Sequence, residues 1–159
     1  MGLDATVYCN CFEAGTLREA PPRPDLIYVA PDGSLECRSE DLDTLLGFDQ
    51  WLLHRACAHE NGVLRQHRIG NVAQVSLLRS ELNREAGKFA TLLGKVIYNG
   101  MHAGDHLDLD DVRQLQSELQ HLDRFICEDE ANRKYVECFR QQMRELVGTA
   151  LSVGKPISF

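Results

Sequence analysis

Two histidines and an aspartate lie close together in residues 98–107, Tyr-Asn-Gly-Met-His-Ala-Gly-Asp-His-Leu. Imidazole and carboxylate groups bind zinc or other divalent metals and act as acids or bases, and the two glycines allow sharp turns. The segment is a candidate ligand or metal loop. Its candidate residues are Asn99, His102, Asp105 and His106. Because their spacing matches no strong metal signature, a second interpretation stays open, in which Asn99-Gly100 ends one helix and Asp105 or Asp108 caps the next.

Cys9-Asn10-Cys11 has the form of a metal-binding knuckle. Apolar and polar residues alternate from Leu3 to Cys11, however, which predicts a half-buried strand. A strand would direct both thiols into the core, where free cysteine behaves as a small apolar residue. We therefore favour a structural role for the pair, while a long-range site that adds Cys57 stays open.

His54, Cys57 and His59 form another group, on a helix predicted to end at Asn61-Gly62. His54 and Cys57 are neighbours on that helix, but His59 lies five positions from His54, about 140° around a regular helix. The three side chains therefore cannot chelate one ion from such a helix. No stretch matches a nucleophile elbow, a phosphate-binding glycine loop or a dinucleotide-binding fingerprint.

Acidic residues outnumber basic ones by 24 to 17, giving a formal net charge of −7. This balance argues against nucleic-acid binding, in which lysine and arginine neutralise phosphates, and favours a basic protein partner. Two acidic clusters flank the fourth predicted helix, and they are a candidate contact surface. Its residues are Asp105, Asp108, Asp110, Asp111, Glu128, Asp129 and Glu130. The alternative is that each cluster caps a helix N-terminus.

The first secondary-structure elements that the sequence predicts are strands. Besides the alternating segment 3–11, apolar runs at 26–30 and 34–38 flank the tripeptide 31–33. A three-residue loop, with Gly33 in the left-handed conformation, places the apolar residues of both runs on one face. We therefore predict a small N-terminal antiparallel sheet of about three strands.

Helical periodicity replaces this alternation after Gly47. A bundle of about five helices is predicted, beginning at Asp49, at Asn71 with Gln74 as its capping-box partner, near Phe89, at Asp108 and near Asn132. The apolar tail 156–159 is expected to dock on this core, with an edge strand of the sheet as one possibility. The pattern predicts a single α+β domain over residues 1–159.

Membrane insertion and export are not expected from this sequence. No apolar run approaches the roughly 20 residues of a membrane span, and the N-terminus lacks a signal-peptide pattern. We expect a cytoplasmic address, in which cysteines stay free thiols rather than disulfides. The six are Cys9, Cys11, Cys37, Cys57, Cys127 and Cys138.

The phrases MGLDATVYCNCFE, GFDQWLLHRACAHE, RIGN, KVIYNGMHAGD and KPISF resemble those of a group of small uncharacterised bacterial proteins. That resemblance covers most of the chain but implies no chemistry for individual residues. In size and charge the chain also resembles, more loosely, the immunity proteins of bacterial polymorphic-toxin systems. This second resemblance implies a protein that neutralises a basic toxin domain by direct binding.

Three functional hypotheses follow from these patterns. The leading one is a non-enzymatic acidic binding protein, most concretely an immunity protein, with no cofactor. The alternative is a metal-dependent or small-ligand enzyme with its site in residues 98–107, where zinc or another divalent metal would bind. The third is a scaffold stabilised by zinc bound to the cysteines.

Overall fold

The computed structural model describes residues 2–159. Its strands are β1 (Gly2–Tyr8), β2 (Ile27–Val29), β3 (Leu35–Cys37), β4 (Val63–Asn71), β5 (His106–Leu107) and β6 (Ile157–Ser158). Its α-helices are α1 (Leu42–His54), α2 (Val72–Leu82), α3 (Leu109–Arg124) and α4 (Glu130–Val153), and a π-helical segment spans Leu92–Val96. The predicted α+β class is confirmed. No helix within the described residues is long and apolar enough to cross a membrane.

Strand β1 is an interior strand of a four-stranded antiparallel sheet with the order β4-β1-β6-β5. It pairs with β4 from Gly2, opposite Asn71, to Tyr8, opposite Val63. On its other side Thr6 pairs with Ser158 of β6. The tail therefore docks as expected, but as an inner strand rather than an edge strand, because β5 covers its outer side.

Strands β2 and β3 form a separate hairpin. The predicted three-residue loop is confirmed: Gly33 has a φ of 89°, and the Ala30 N–H donates to the Ser34 carbonyl at 2.9 Å. The strands of the N-terminal third thus divide between two sheets. Strand β1 pairs with β4 from the middle of the chain and with β6 near its end, whereas β2 and β3 pair with each other.

A large apolar core, called the main core below, is shared by the four-stranded sheet and helices α2, α3 and α4. The helix stripes that the periodicity predicts supply much of it: Val112, Leu115, Leu119 and Leu122 of α3 are buried. Helix α2 begins at the predicted capping box, with Asn71 as the cap and Gln74 as its partner.

A smaller apolar group, called the small cluster below, is formed by the chain between β1 and β4. Its buried members are Ile27, Phe48, Trp51 and Ala56. The indole N–H of Trp51 donates to the Glu19 carbonyl at 3.0 Å, which ties α1 to the preceding loop.

Helix α1 and β4 differ from the prediction. α1 is capped by Asp41, whose carboxylate accepts the Thr44 N–H at 2.9 Å, and not by Asp49. It ends at His54 rather than at Asn61-Gly62. Strand β4 was not predicted, because its many polar residues do not alternate with apolar ones. It lies at the edge of the sheet, where the backbone groups on its outer side are open to solvent.

The third predicted helix is a π-helical segment, in which the Ile97 N–H donates to the carbonyl five residues earlier, that of Leu92, at 2.8 Å. The Glu118 carboxylate of α3 accepts the N–H groups of Thr91 and Leu92 at 2.6 and 2.9 Å. A side chain from another helix thus caps a segment that is too short to be stable alone.

Candidate metal centre

Four potential metal ligands meet where the chain leaves β1 and where it returns to β4. Cys9 and Cys11 follow the last residue of β1, and Cys57 and His59 lie between α1 and β4. Since β1 and β4 are paired, the two segments are held side by side at this end of the sheet. We call this place the neck, because the chain that forms the small cluster leaves the four-stranded sheet and returns to it here.

The end of β1 positions the first two ligands. The ladder shifts register between Val7 and Tyr8, and the Cys9 N–H then donates to the Gly62 carbonyl at 2.7 Å. Beyond Cys9 the chain turns. The Ala14 N–H donates to the Asn10 carbonyl at 2.8 Å, and the Thr16 N–H donates to the Cys11 carbonyl at 2.9 Å. Cys11 thus leaves the strand direction, so its thiol can face the same point as that of Cys9.

The end of α1 positions the other two ligands. The N–H groups of Arg55 and Ala56 both donate to the Trp51 carbonyl at 2.8 Å, which closes the helix before Cys57. Asn61 and Gly62 then adopt left-handed conformations, with φ of 51° and 69°, and turn the chain into β4. Cys57 and His59 therefore lie in an irregular segment that brings both side chains inward.

The four donor atoms lie within 4.8 Å of one another. The sulfurs of Cys9 and Cys57 are 3.8 Å apart. Nδ1 of His59 lies 3.5 Å from the Cys11 sulfur and 3.6 Å from the Cys57 sulfur. A tetrahedral zinc ion, with Zn–S bonds of about 2.3 Å and Zn–N bonds of about 2.0–2.1 Å, separates two sulfurs by about 3.8 Å and a sulfur from a nitrogen by about 3.6 Å.

A thiol hydrogen bond would explain any single one of these distances, but not the convergence of all four donors. Three thiols and an imidazole are the donor set of Cys₃His structural zinc sites. Among residues 2–159, this is also the one place where at least three potential metal ligands of the cysteine, histidine, aspartate or glutamate type come together. The arrangement could hold one tetrahedral ion.

Burial controls the protonation of the first thiol. Burial is the largest of the effects that together raise the pKa of Cys9 to about 12; the Cys11 backbone N–H lowers it, and the Cys11 and Cys57 thiols add to the rise. Cys9 is therefore protonated at neutral pH unless a cation replaces the proton. A metal ion would supply that positive charge, and its binding would release protons.

The number of protein donors bears on what an ion could do here. Catalytic zinc sites keep one position open for water or substrate, whereas structural sites fill all four positions with protein ligands. Cys9, Cys11, Cys57 and His59 fill all four. An ion held by all four would have no open position for water or substrate, as in a structural centre.

Two sequence-based interpretations are corrected by this arrangement. Cys9 and Cys11 were predicted to continue a strand, but β1 ends at Tyr8. The argument against chelation assumed a helix that reaches Asn61, but α1 ends at His54, so the spacing rule of a helix does not apply to Cys57 and His59. The long-range grouping of Cys9, Cys11 and Cys57 is present.

His59 was missed as a partner of that grouping, although the sequence holds a signal for it. Cys9 and Cys11 are separated by one residue, and so are Cys57 and His59. Two close pairs of potential ligands, each next to a predicted element boundary, are a signal for a metal site, although one intervening residue is fewer than the two to four of common zinc motifs.

The segment 98–107 has a different organisation. The His102 ring is buried between the rings of Tyr98 and Phe159, and its Nε2 lies 2.8 Å from the Val96 carbonyl oxygen. Its Nδ1 lies 3.5 Å from the Asp105 carboxylate, which also accepts a hydrogen bond from the Tyr98 hydroxyl.

The other two candidate residues of that segment are a turn residue and an exposed strand residue. The Asn99 side chain accepts the Met101 N–H at 3.3 Å, and His106 is an exposed residue of β5. Within residues 2–159 these groups do not assemble into a set of three metal ligands. The ligand loop stays a prediction, and the structure shows a packed turn around His102.

The first acidic cluster lies at the start of α3, and Asp108 caps this helix. Asp108 accepts the N–H groups of Asp110 and Asp111 at 2.9 and 2.8 Å. Asp110 pairs with Arg113, and Asp111 pairs with Lys95, in both cases at 2.6 Å. The predicted capping of this helix N-terminus is confirmed at Asp108.

The second acidic cluster precedes and begins α4. Asp129 caps the helix by accepting the Ala131 N–H at 2.9 Å, while Glu128 pairs with Arg84. Glu130 lies 4.0 Å from Arg133. The carboxylates of Asp110 and Glu130 are each 90% exposed, so a contact surface built on both clusters stays a prediction.

Comparisons with known proteins identify no relative of this chain. No protein-family model matches the chain, and neither a curated protein nor a solved structure matches it. The resemblances to small bacterial proteins and to immunity proteins therefore stay predictions.

Proposed function

We propose that this protein binds one zinc ion in a structural Cys₃His centre formed by Cys9, Cys11, Cys57 and His59. The observation that carries the proposal is the convergence of four protein donor atoms within 4.8 Å of one another, of which three separations match those of a tetrahedral zinc site. The ion fastens the small cluster to the four-stranded sheet. Zinc suits this donor set because thiolate and imidazole are its preferred ligands.

The small size of this apolar cluster is a physical reason for a stabilising metal ion at the neck. The small cluster has only four buried apolar members, Ile27, Phe48, Trp51 and Ala56. So small a core supplies little free energy against the conformational entropy of the chain around it, and structural metals commonly make up that difference. An ion at the neck would close the chain between Cys11 and Cys57 into a loop, which restricts the unfolded ensemble.

Elemental analysis of protein purified without a metal-binding tag tests the proposal. We expect about one zinc per chain. Cys9→Ser and Cys57→Ser should each lose most of the metal, because a hydroxyl does not replace a thiolate ligand. His59→Asn should weaken binding, and the cobalt-substituted protein should show thiolate-to-cobalt charge transfer.

Two matched variants separate ligation from general damage. Cys127 is buried like Cys57 but lies outside the centre, so Cys127→Ser should keep its zinc. His54 is exposed at the end of α1, so His54→Asn should keep it as well. Metal-free protein, or equal loss of zinc in Cys57→Ser and Cys127→Ser, would contradict a Cys₃His centre.

The predicted role as an acidic partner-binding protein is compatible with this centre. A structural ion shapes a surface without taking part in a reaction, so zinc binding leaves the immunity-protein hypothesis and its basic partner as a prediction. A reducing compartment such as the cytoplasm suits the proposal, because the ligands must be thiolates rather than disulfides.

A further inference from the structure

Helix α1 carries apolar residues on two opposite sides. Phe48 and Trp51 face inward and are buried in the small cluster. Leu42, Leu46 and Leu53 lie within about 40° of one another around a regular helix, on the side roughly opposite Trp51. A helix on the surface of a protein usually presents polar residues on that side. The three leucines therefore form an apolar stripe, called the outer stripe below, that the small cluster does not use.

The outer stripe is open to solvent. Leu42 is 68% exposed and Leu46 is 52% exposed, while Leu53 is partly buried. Within residues 2–159, Leu53 is not one of the partly buried side chains that pack on the main core or on the small cluster. A helix of 13 residues is about 20 Å long, and the stripe runs along most of it. A contiguous exposed apolar stripe is typical of an interaction site, whereas single exposed apolar residues are normal on protein surfaces.

The charges around the outer stripe have one sign. Residues 39–54 contain no lysine or arginine, but they contain four exposed carboxylates, those of Glu40, Asp41, Asp43 and Asp49. The arginines that flank this segment in the sequence are engaged elsewhere. Arg38 lies over the Tyr28 ring at 4.4 Å, and Arg55 pairs with Glu19 at 3.5 Å. The stripe is therefore bordered by negative charge.

This charge distinguishes between possible occupants of the stripe. If a second copy of the chain packed here with twofold symmetry, the same carboxylates would face one another, and like charges at an interface are unfavourable. The negatively charged surface of a membrane would be repelled for the same reason. A cationic protein segment, in contrast, is attracted by these carboxylates.

We propose that the outer stripe of α1 is a docking site for a cationic amphipathic helix of another protein. The apolar residues of that helix, at spacings of three and four, pack against the leucines of the stripe, and its lysines or arginines lie beside Asp43 and Asp49. The site shares no residue with the metal centre or with the two acidic clusters at α3 and α4. The proposal therefore does not depend on the metal ion.

Isothermal titration of the full chain with a synthetic amphipathic helix of leucine and lysine tests this site. We expect saturable binding with a stoichiometry near one, which weakens as added salt screens the charges. A peptide of the same composition in shuffled order has no apolar face and should not bind. Leu46→Gln should weaken binding of the amphipathic helix about tenfold, because one leucine side chain is no longer buried. Asp49→Asn should weaken it about threefold through the loss of one exposed charge contact.

Ile126→Gln and Glu130→Gln are the matched controls. Ile126 is 77% exposed and the Glu130 carboxylate is 90% exposed, but both residues lie outside α1. Both substitutions should leave binding unchanged. Absence of binding, equal binding of the shuffled peptide, or equal weakening by Ile126→Gln and Leu46→Gln or by Glu130→Gln and Asp49→Asn would each overturn the proposal. A dimer of the full chain that Leu46→Gln dissociates, seen by analytical ultracentrifugation, would overturn it too, because the occupant would then be a second copy.

Discussion

The main core and the small cluster are held together in different ways. The main core joins three helices to a sheet through many fully buried side chains, such as Phe139, Leu115 and Met143. The small cluster has four buried residues and depends on polar ties at its edges, together with the proposed metal centre at the neck. Stability is therefore distributed unevenly along this chain, and the same kind of substitution should have different consequences in the two regions.

Phe139→Ala and Trp51→Ala compare the two regions directly, because both side chains are only 1% exposed. Truncating a buried aromatic ring costs about 3–5 kcal/mol. In Phe139→Ala this loss should appear in the global free energy of unfolding, measured by denaturant titration. In Trp51→Ala it should appear mainly as faster amide hydrogen exchange in residues 12–56, with the protection of α3 and α4 largely kept.

One result would remove the distinction between the regions. If Trp51→Ala lowered the global unfolding free energy as much as Phe139→Ala and exposed the amides of α3 and α4 equally, the molecule would be one cooperative unit. The small cluster would then contribute to the same transition as the main core.

The main core was the more predictable region. Helices α3 and α4 show sustained helical periodicity, and the Asn71 cap of α2 is a local signal, so each could be found within one segment of sequence. The hairpin loop at Gly33 was predictable for the same reason. β4 was not, because an edge strand with a polar face lacks the alternation by which strands are recognised.

The proposed metal centre could be predicted only in part. Three of its ligands were grouped as a possibility, but their approach depends on the pairing of β1 with β4, which is a long-range contact. It also depends on where α1 ends, and helix boundaries are the least certain part of a sequence-based prediction. Moving the end of α1 from Asn61 to His54 turns His59 from an excluded ligand into an available one.

The next largest effect is expected for Lys155, which joins the end of α4 to the hairpin and to Glu13. It is 3% exposed, donates to the Gly33 carbonyl at 3.0 Å and pairs with Glu13 at 2.5 Å. Lys155→Met keeps the length of the side chain but leaves the carbonyl without its donor. We expect a loss of about 2 kcal/mol in unfolding free energy, with faster exchange in the hairpin.

Lys88→Met is the control for this substitution. Lys88 is exposed and pairs with Glu85 within the same short segment, so its loss should change stability by less than about 0.5 kcal/mol. Equal effects of the two substitutions would mean that the buried ion pair does not hold the hairpin in place.

The smallest expected effect is that of Asp32, and it depends on pH. Its carboxylate accepts the Ser34 hydroxyl at 2.7 Å and the Ser158 hydroxyl of β6 at 3.0 Å, so it joins the hairpin to the four-stranded sheet. Burial alone would raise the pKa of Asp32, but these hydrogen bonds outweigh it, and nearby His106 adds to them when protonated. The pKa of Asp32 in the folded protein is therefore below its ordinary value.

A carboxylate whose pKa is lowered on folding stabilises the folded protein at pH values above the ordinary carboxyl pKa. This contribution is lost as the pH falls through the folded-state pKa. Asp32→Asn should thus be less stable than the wild type by about 1 kcal/mol at pH 7, and the difference should shrink below about pH 4. Proton-dependent effects on the metal centre are common to both proteins and cancel in the difference. Asp49→Asn, an exposed residue of α1, should show no such pH-dependent gap. A gap for Asp32→Asn that stayed constant on acidification would show that the serines need only an oxygen acceptor at this position, so that the charge itself does not fasten the hairpin to the sheet.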